Sequence, residues 1–406
     1  MKYNSNLPLA PLALILLSGL LNVTGALAAG FDLIKMNGQS AATDASAVIF
    51  NPAGLARLEG HQLMVLPVFI TGNFEFESDA RSTITGNDGG NASDSFDFAA
   101  SVFYAQKISP KLGVGLGYTQ PVGGSVDYSD DWKGRYIVQE ADFKAQAFTG
   151  AFGYQVNDSL SLGAGVWFLD AEFDQTIAIN SPGFADGQAT IDTDDTAFGF
   201  QLGALWTPSP ATKVGVSYRS RVDLELGGTL DVKLAAGAPA RTLSLDTELP
   251  LPQTVIVSLF QGISPTTAIT VDLGWYDYSS FESTAINTEG GGGFNIARNW
   301  KDSWLIGIGV QHKLAQQWGL QIGGTYSSSP MDDSDRLPDL PIDRQIQLTA
   351  GLLYAHSKAL QLSFGYTYLD LGDNSFDFTG PGGGRLVGEY DEHEVHLFIL
   401  GLIYNF

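Results

Sequence analysis

The chain has no cysteine, which excludes disulfide frameworks, thiolate metal sites and cysteine nucleophiles and leaves packing and hydrogen bonding to hold the fold. Basic residues are scarce: 21 Lys and Arg stand against 44 Asp and Glu, for a formal net charge of -23. Nucleic acid is excluded as a partner, because its phosphates would be repelled. Long apolar runs are also missing. After residue 28, polar or glycine residues interrupt every hydrophobic stretch before it nears the roughly 20 residues that a transmembrane helix needs, so a helical membrane protein is excluded.

What is present begins with Met1-Lys2, an apolar stretch from Leu7 to Leu21 broken by Pro8 and Pro11, and the small-residue site Ala26-Leu27-Ala28. This is the pattern of a secretory signal peptide, residues 1–28, cleaved after Ala28. The rest is rich in strand and turn formers, with 48 Gly, 24 Phe, 15 Tyr and 7 Trp, and an all-β fold is expected.

Alternation makes that expectation specific. Phe398, Leu400, Leu402, Tyr404 and Phe406 share one face of a terminal strand, Leu397, Ile399 and Gly401 the other. The same split sets Val214, Val216 and Tyr218 against Gly215, Ser217 and Arg219, and Leu362, Phe364 and Tyr366 against Ser363, Gly365 and Thr367. An apolar, aromatic face backed by a small, polar one suits a barrel with lipid outside and a lumen inside, since an aqueous sandwich turns its apolar face inward. A strand ending the chain on an aromatic resembles the outer-membrane assembly signal, so the barrel-assembly machinery is an expected partner through Phe406, alongside outer-membrane lipid.

Connections fall into two classes. Six are tight, around Ser109-Pro110, Asn157-Asp158, Pro208-Ser209-Pro210, Ser264-Pro265, Ala315-Gln316-Gln317 and His356-Ser357-Lys358; seven are long, near 71–94, 121–141, 171–194, 222–248, 279–299, 328–342 and 371–390. Thirteen connections predict fourteen antiparallel strands over residues 61–406, with tight turns and both termini on the periplasmic side. Closure removes the edges that lipid cannot hydrate. The location expected is the outer membrane of a Gram-negative bacterium, and the chain is expected to be a monomer.

Residues 29–60 lack strand alternation. Asn51 can cap a short helix with Pro52 at its first position, and Gly54 offers a break. A fourteen-strand lumen needs filling, so this segment is expected inside it as a plug, its Val48, Ile49, Phe50 and Leu55 otherwise lacking a partner.

Ala29-Gly30-Phe31-Asp32-Leu33, the run Asp44 to Ala56 around Asn51-Pro52-Ala53-Gly54, Leu249-Pro250-Leu251-Pro252, Asn299-Trp300-Lys301-Asp302-Ser303-Trp304 and the stretch from Ser329-Pro330 to Arg344 together resemble the FadL-type transporters of long-chain fatty acids and hydrocarbons, across the whole mature chain. The resemblance implies a fourteen-stranded barrel with an N-terminal hatch. It further implies a hydrophobic small-molecule ligand that leaves sideways into the membrane through a gap near the third strand, with Asn51, Pro52 and Ala53 in the hatch motif beside that gap. The third strand, read as residues 111–120, carries Gly115 and Gly117 and breaks at Pro121-Val122-Gly123-Gly124, which would weaken its pairing.

For the ligand itself, long-chain fatty acids are the leading reading, with neutral or aromatic hydrocarbons as the alternative and a general porin behind both. The acidic stretch Asp170-Ala171-Glu172-Phe173-Asp174 stands where the family often carries a basic residue and speaks against a carboxylate. Arg219 and Arg221, read as lumen-facing on the seventh strand, could supply the positive site, or could pair with inward acids; Phe31 is a further candidate contact. No catalytic residue, metal or cofactor is expected: His393 and His396 lie three apart, on opposite strand faces, and His61, His312 and His356 are scattered without a recognisable serine partner.

Overall fold

The computed structural model describes residues 38–406 apart from 93–96, 182, 235–238, 282, 290–291, 333–335, 337–342 and 380–383; the signal peptide and Phe31 lie outside these. Alternation is carried through by one closed antiparallel sheet. Its strands are β1 (His61–Ser78), β2 (Asp97–Ser109), β3 (Leu112–Asp127), β4 (Glu140–Gln155), β5 (Leu160–Ile179), β6 (Gly187–Ser209), β7 (Thr212–Arg219), β8 (Val222–Lys233), β9 (Arg241–Leu251), β10 (Thr254–Gly262), β11 (Thr267–Tyr276), β12 (Ser283–Thr288), β13 (Gly292–Ala297), β14 (Ser303–Lys313), β15 (Trp318–Ser327), β16 (Gln345–Ala355), β17 (Leu360–Asp370), β18 (Phe376–Thr379) and β19 (Arg385–Asn405). Five staves of the barrel are broken in two, β7 with β8, β9 with β10, β11 with β12, β13 with β14 and β17 with β18, so these segments make fourteen barrel strands. Closure comes from β1, where Met64 lies opposite Phe103 of β2 on one side and Ile403 of β19 on the other.

The apolar face points out. Leu116, Val166, Phe198 and Ile308 are between 60% and 74% exposed, while their neighbours Gly115, Gly117, Trp167 and Gly199 turn inward and are buried. All six tight turns fall where the sequence places them. At one of them the Asn157 carboxamide oxygen accepts from the backbone N–H of Ser159 and Leu160, both at 2.9 Å. Both ends of the barrel chain sit on that side, with Phe406 N–H bonded to the His61 carbonyl at 3.0 Å.

Most of the long connections are shorter than expected, because strands run on into them, the exception being the one between Ser327 of β15 and Gln345 of β16. Residues 171–194 form most of a hairpin with Asp174 opposite Asp192; Ala171 and Phe173 remain buried inside while Glu172 and Asp174 face out into water. The period of two persists past the lipid edge and only the chemistry of the outer face changes, from apolar to acidic. β3 likewise continues through Pro121-Val122-Gly123-Gly124 to Asp127. It absorbs one extra residue between Thr119 and Val122 as a bulge rather than breaking. At the outer end, the β3–β4 connection folds inward on Trp132, which is stacked on Tyr128 at 4.0 Å between ring centres and donates its indole N–H to the Val138 carbonyl.

Candidate functional site

Ahead of β1, three short helical turns, Gln39–Ala41, Ala47–Phe50 and Pro52–Arg57, lie buried inside the barrel. A row of inward glycines gives them room. A Cβ built on Gly113 or Gly115 of β3, Gly153 of β4, Gly163 of β5, Gly203 of β6 or Gly215 of β7 would come inside 3.0 Å of this segment, closer than real Cβ atoms go. Inward glycines on five adjacent strands thus make a seat on which the N-terminal segment rests directly.

Polar groups fix it there. Asn51, with no exposed surface, donates its Nδ2 to the Ser40 carbonyl (2.6 Å) and the Ala204 carbonyl (3.0 Å), and its Oδ1 accepts from Ala53 N–H (3.1 Å). This is the helix cap expected of Asn51 before Pro52. Gly54 does not break the turn, which runs on to Arg57; its missing side chain lets the Ala42 carbonyl pass. Further back, Gly38 N–H donates to Asp272 Oδ2 (2.7 Å), Ser40 N–H to Ser258 Oγ (2.9 Å), and the Ser40 and Ser217 hydroxyls share a bond of 2.7 Å.

On the β7–β11 side the wall carries large side chains and a pocket opens, with about 950 Å³ of empty space, part of it open to solvent. Ile49 and Phe50 of the hatch form one side; Trp167, Leu249-Pro250-Leu251-Pro252, Tyr276, Tyr278, Phe281 and Trp300 form much of the rest. The aromatics brace one another, Trp300 lying 4.8 Å from Phe281 and 5.6 Å from Tyr278 between ring centres. Arg219 is the cation among the lining residues: it donates to the Ile49 carbonyl at 2.7 Å, with its guanidinium carbon 5.7 Å from the Trp167 ring. Asp277 is the anion, and its carboxylate already accepts from Gln253 (2.6 Å) and Ser279 (3.0 Å).

On the opposite side of the hatch, among the described residues, the β2–β3 ladder ends at Val102 opposite Tyr118. Yet β2 stays paired with β1 as far as Asp97, and β3 with β4 as far as Asp127. Further out, Asp127 N–H reaches the Ala92 carbonyl at 2.9 Å. Among the described residues the wall therefore has a window between Tyr118 and Asp127. Val48 packs against Gly115 and Gly117 on the approach to it, while its chain neighbours Ile49 and Phe50 face the pocket. One helical turn stands between pocket and window.

The residues singled out from sequence divide accordingly. Gly115 and Gly117 are inward beside the hatch, and Pro121, Gly123 and Gly124 lie along the part of β3 that has no ladder partner on the β2 side among the described residues. Asn51, Pro52 and Ala53 belong to the hatch but not beside that gap: they press on Gly163 and Gly203 of β5 and β6, where the wall admits their backbone. Arg219 and Arg221 are not together. Residues of β7 pair with β6 so that Gln201 meets Arg219, whereas β8 pairs one residue out of step, Asp194 meeting Gly227. The slip at Ser220 turns Arg221 outward, half exposed and ion-paired with Asp223 at 2.5 Å. The acids Glu172 and Asp174 also point outward; burial first, then the carboxylates of Asp192 and Asp142, hold the Asp174 carboxyl above its ordinary range. They leave the pocket's charge to Arg219 and Asp277. His393 packs inside on Tyr390 and Asn374, while His396 bonds to the Tyr366 hydroxyl, so the two do not converge. Sequence reasoning missed the glycines of β4–β7 as a seat, and missed Trp167, Tyr276, Tyr278 and Phe281, which no local pattern marks.

A family model described as outer membrane protein transport protein (OMPP1/FadL/TodX) matches residues 27–406. The long-chain fatty acid transport protein of Escherichia coli is 22% identical over 372 residues, 81% of each chain. Among solved structures, a Pseudomonas aeruginosa FadL homologue superposes with a TM-score of 0.83 at 21% identity, over 95% of this chain and 98% of that one. The Pseudomonas putida toluene transporter TodX superposes with a TM-score of 0.71 at 16% identity, over 96% and 99%.

Proposed function

The chain belongs to the OMPP1/FadL/TodX family of outer-membrane transporters of hydrophobic compounds, and from that premise we propose that its cargo is a long-chain fatty acid, bound in the β7–β11 pocket and released sideways through the β2–β3 window. The observation that carries the choice of cargo is Arg219, a guanidinium set in an aromatic and aliphatic pocket. A chain of methylenes fits the apolar wall and a carboxylate fits the arginine. The Escherichia coli relative carries the same class of molecule in its name.

The route follows from where the hatch stands. A plugged lumen is a poor path for bulk diffusion, whereas cargo moving from the pocket past the Ala47–Phe50 turn meets the window and then lipid. Each methylene gains roughly 0.8 kcal/mol in lipid over water, so a sideways exit keeps the chain out of water throughout. Asn51, Pro52 and Ala53 hold the hatch on its seat, and the bulged outer half of β3 provides the opening.

Arg219→Gln separates the readings. For a fatty acid, the loss of a charge-assisted bond worth about 1.5 to 3 kcal/mol should weaken binding of labelled oleate about ten- to a hundredfold, with toluene binding little changed. The aromatic lining and the likeness to a toluene transporter favour a neutral aromatic as second reading. Tight toluene binding with no measurable oleate binding by the unaltered protein would establish that reading and overturn the first.

A further inference from the structure

The window leaves backbone groups of β2 facing a strand that no longer pairs with them, in a wall where lipid offers no hydrogen bonds. One is met by an unusual partner: Ala100 N–H donates to the side-chain oxygen Oε1 of Gln120 at 3.1 Å. Continuing the β2–β3 register past Val102 and Tyr118 would set Ala100 opposite Gln120, yet the bulge at Gln120-Pro121 has carried that backbone out of the ladder. Next to it, Thr119 is fully buried and its hydroxyl has no partner among the described residues. The seam at this level is bridged by one flexible side chain, whereas from Val102 and Tyr118 to the tight turn it is closed by main chain.

We infer that Gln120 is a gating clasp, a side chain that holds the β2–β3 window shut and swings away to let cargo out. Main-chain ladders open only by moving strands, but a carboxamide opens by rotating about its own side-chain bonds, so the barrel keeps its pairing while the exit widens. Ala99 and Ala100 suit this place, being too small to fill the space that the clasp uncovers. Pro121 suits it as well, having no N–H that opening would expose. The inference rests on the sideways route proposed above, and extends it by naming the residue that controls it.

The test uses the full-length protein in lipid bilayers and in cells. Gln120→Met keeps the length and removes the acceptor; it should speed exchange of the Ala100 amide about tenfold, the factor that a hydrogen bond of ordinary strength supplies, leave the Phe103 and Ala105 amides as they were, and raise the initial rate of oleate uptake severalfold. Gln120→Glu, which can still accept, should restore slow exchange. In a chain free of cysteine, the double variant Ala100→Cys/Gln120→Cys, once oxidised, should stop uptake, and a reductant should restore it. Undiminished uptake by the oxidised pair would overturn the sideways route and the clasp with it. A blocked pair with Gln120→Met unchanged in Ala100 exchange would overturn the clasp alone. Faster exchange without faster uptake would reduce Gln120 to a structural cap, and faster exchange along all of β2 would mark general loosening; either result overturns the gating role.

Discussion

The two sides of the lumen differ in the glycines that they turn toward the hatch. Across β3–β7 a set of inward glycines lets the hatch lie against the sheet, and Gln201, Ser217 and Arg219 bond to it alongside. Towards β7–β11 the hatch reaches Ser258 and Asp272 through Ser40 and Gly38, and a pocket remains between Ile49 and Phe50 and the large groups Leu251, Tyr276, Tyr278 and Trp300. The lesson is that a wide barrel need not be filled uniformly. The inward glycines decide where the plug sits, and open space is left beside the bulky groups opposite. The window lies on the seat side, behind Val48, so the Ala47–Phe50 turn of the plug stands between the two spaces.

The strongest way to break this comparison is to put side chains on the seat. Gly163→Val with Gly203→Val would drive branched groups into Pro52, Ala53 and Asn51, where even one carbon does not fit. With overpacking costing about 1 to 3 kcal/mol per site, the hatch should leave its seat while the barrel stays folded. Single-channel conductance should rise from near zero to a steady open level, and proteolysis should cut the released segment. Gly150→Ala is the matching control, since its Cβ would face outward at an ordinary 3.8 Å from Leu116. A double variant as closed and as protected as the unaltered protein would end the idea of a glycine seat.

A smaller effect is expected from Asn51→Ala, which removes the cap and leaves the Ser40 and Ala204 carbonyls short of a donor. Buried groups stripped of a partner cost about 1 to 3 kcal/mol, not enough to expel a segment held also by Ile49, Leu55 and Phe103. Amide exchange in residues 51–56 should quicken while oleate affinity in the pocket stays within about twofold, because Asn51 faces β6 and not the pocket. An affinity loss as large as that of Arg219→Gln would show that seat and pocket are not separate.

Much of this was legible in the chain itself. Period-two alternation and turn chemistry suffice for fourteen strands and for which end carries the termini, because lipid imposes one rule on every outward position. The hatch was legible for a different reason: Val48, Ile49, Phe50 and Leu55 need burial and the barrel lumen is the place to find it. Strand ends were not legible, since beyond the lipid edge the outward residues become Glu172 and Asp174 and look like loop. Nor was the pocket, whose Trp167, Tyr276 and Trp300 come from distant segments that meet only in three dimensions. The window was half visible in Pro121 and Gly123, but a bulge that preserves pairing to β4 while forgoing it to β2 depends on both neighbours at once.

The smallest effect expected is also the sharpest test of how the two walls are joined, because β7 belongs to both. Counted by twos, Arg219 and Arg221 share a face, and both would reach the lumen. The one-residue slip at Ser220, whose N–H donates to the Phe200 carbonyl at 2.9 Å and whose hydroxyl accepts from Phe200 N–H at the same distance, reverses the faces between β7 and β8. Gly215, Ser217 and Arg219 then point inward below it, and Val222, Leu224 and Leu226 above it. The slip lets one stave offer a glycine and an arginine to the lumen and still present Arg221 and Asp223 to water. Arg221→Gln should therefore leave oleate affinity within about twofold and stability within about 0.5 kcal/mol, as befits an exposed ion pair. Titration of labelled oleate against Arg219→Gln, Arg221→Gln and the double variant reads this directly. The double variant should match Arg219→Gln alone, and a further loss on adding the second change would place Arg221 in the lumen and remove the slip at Ser220.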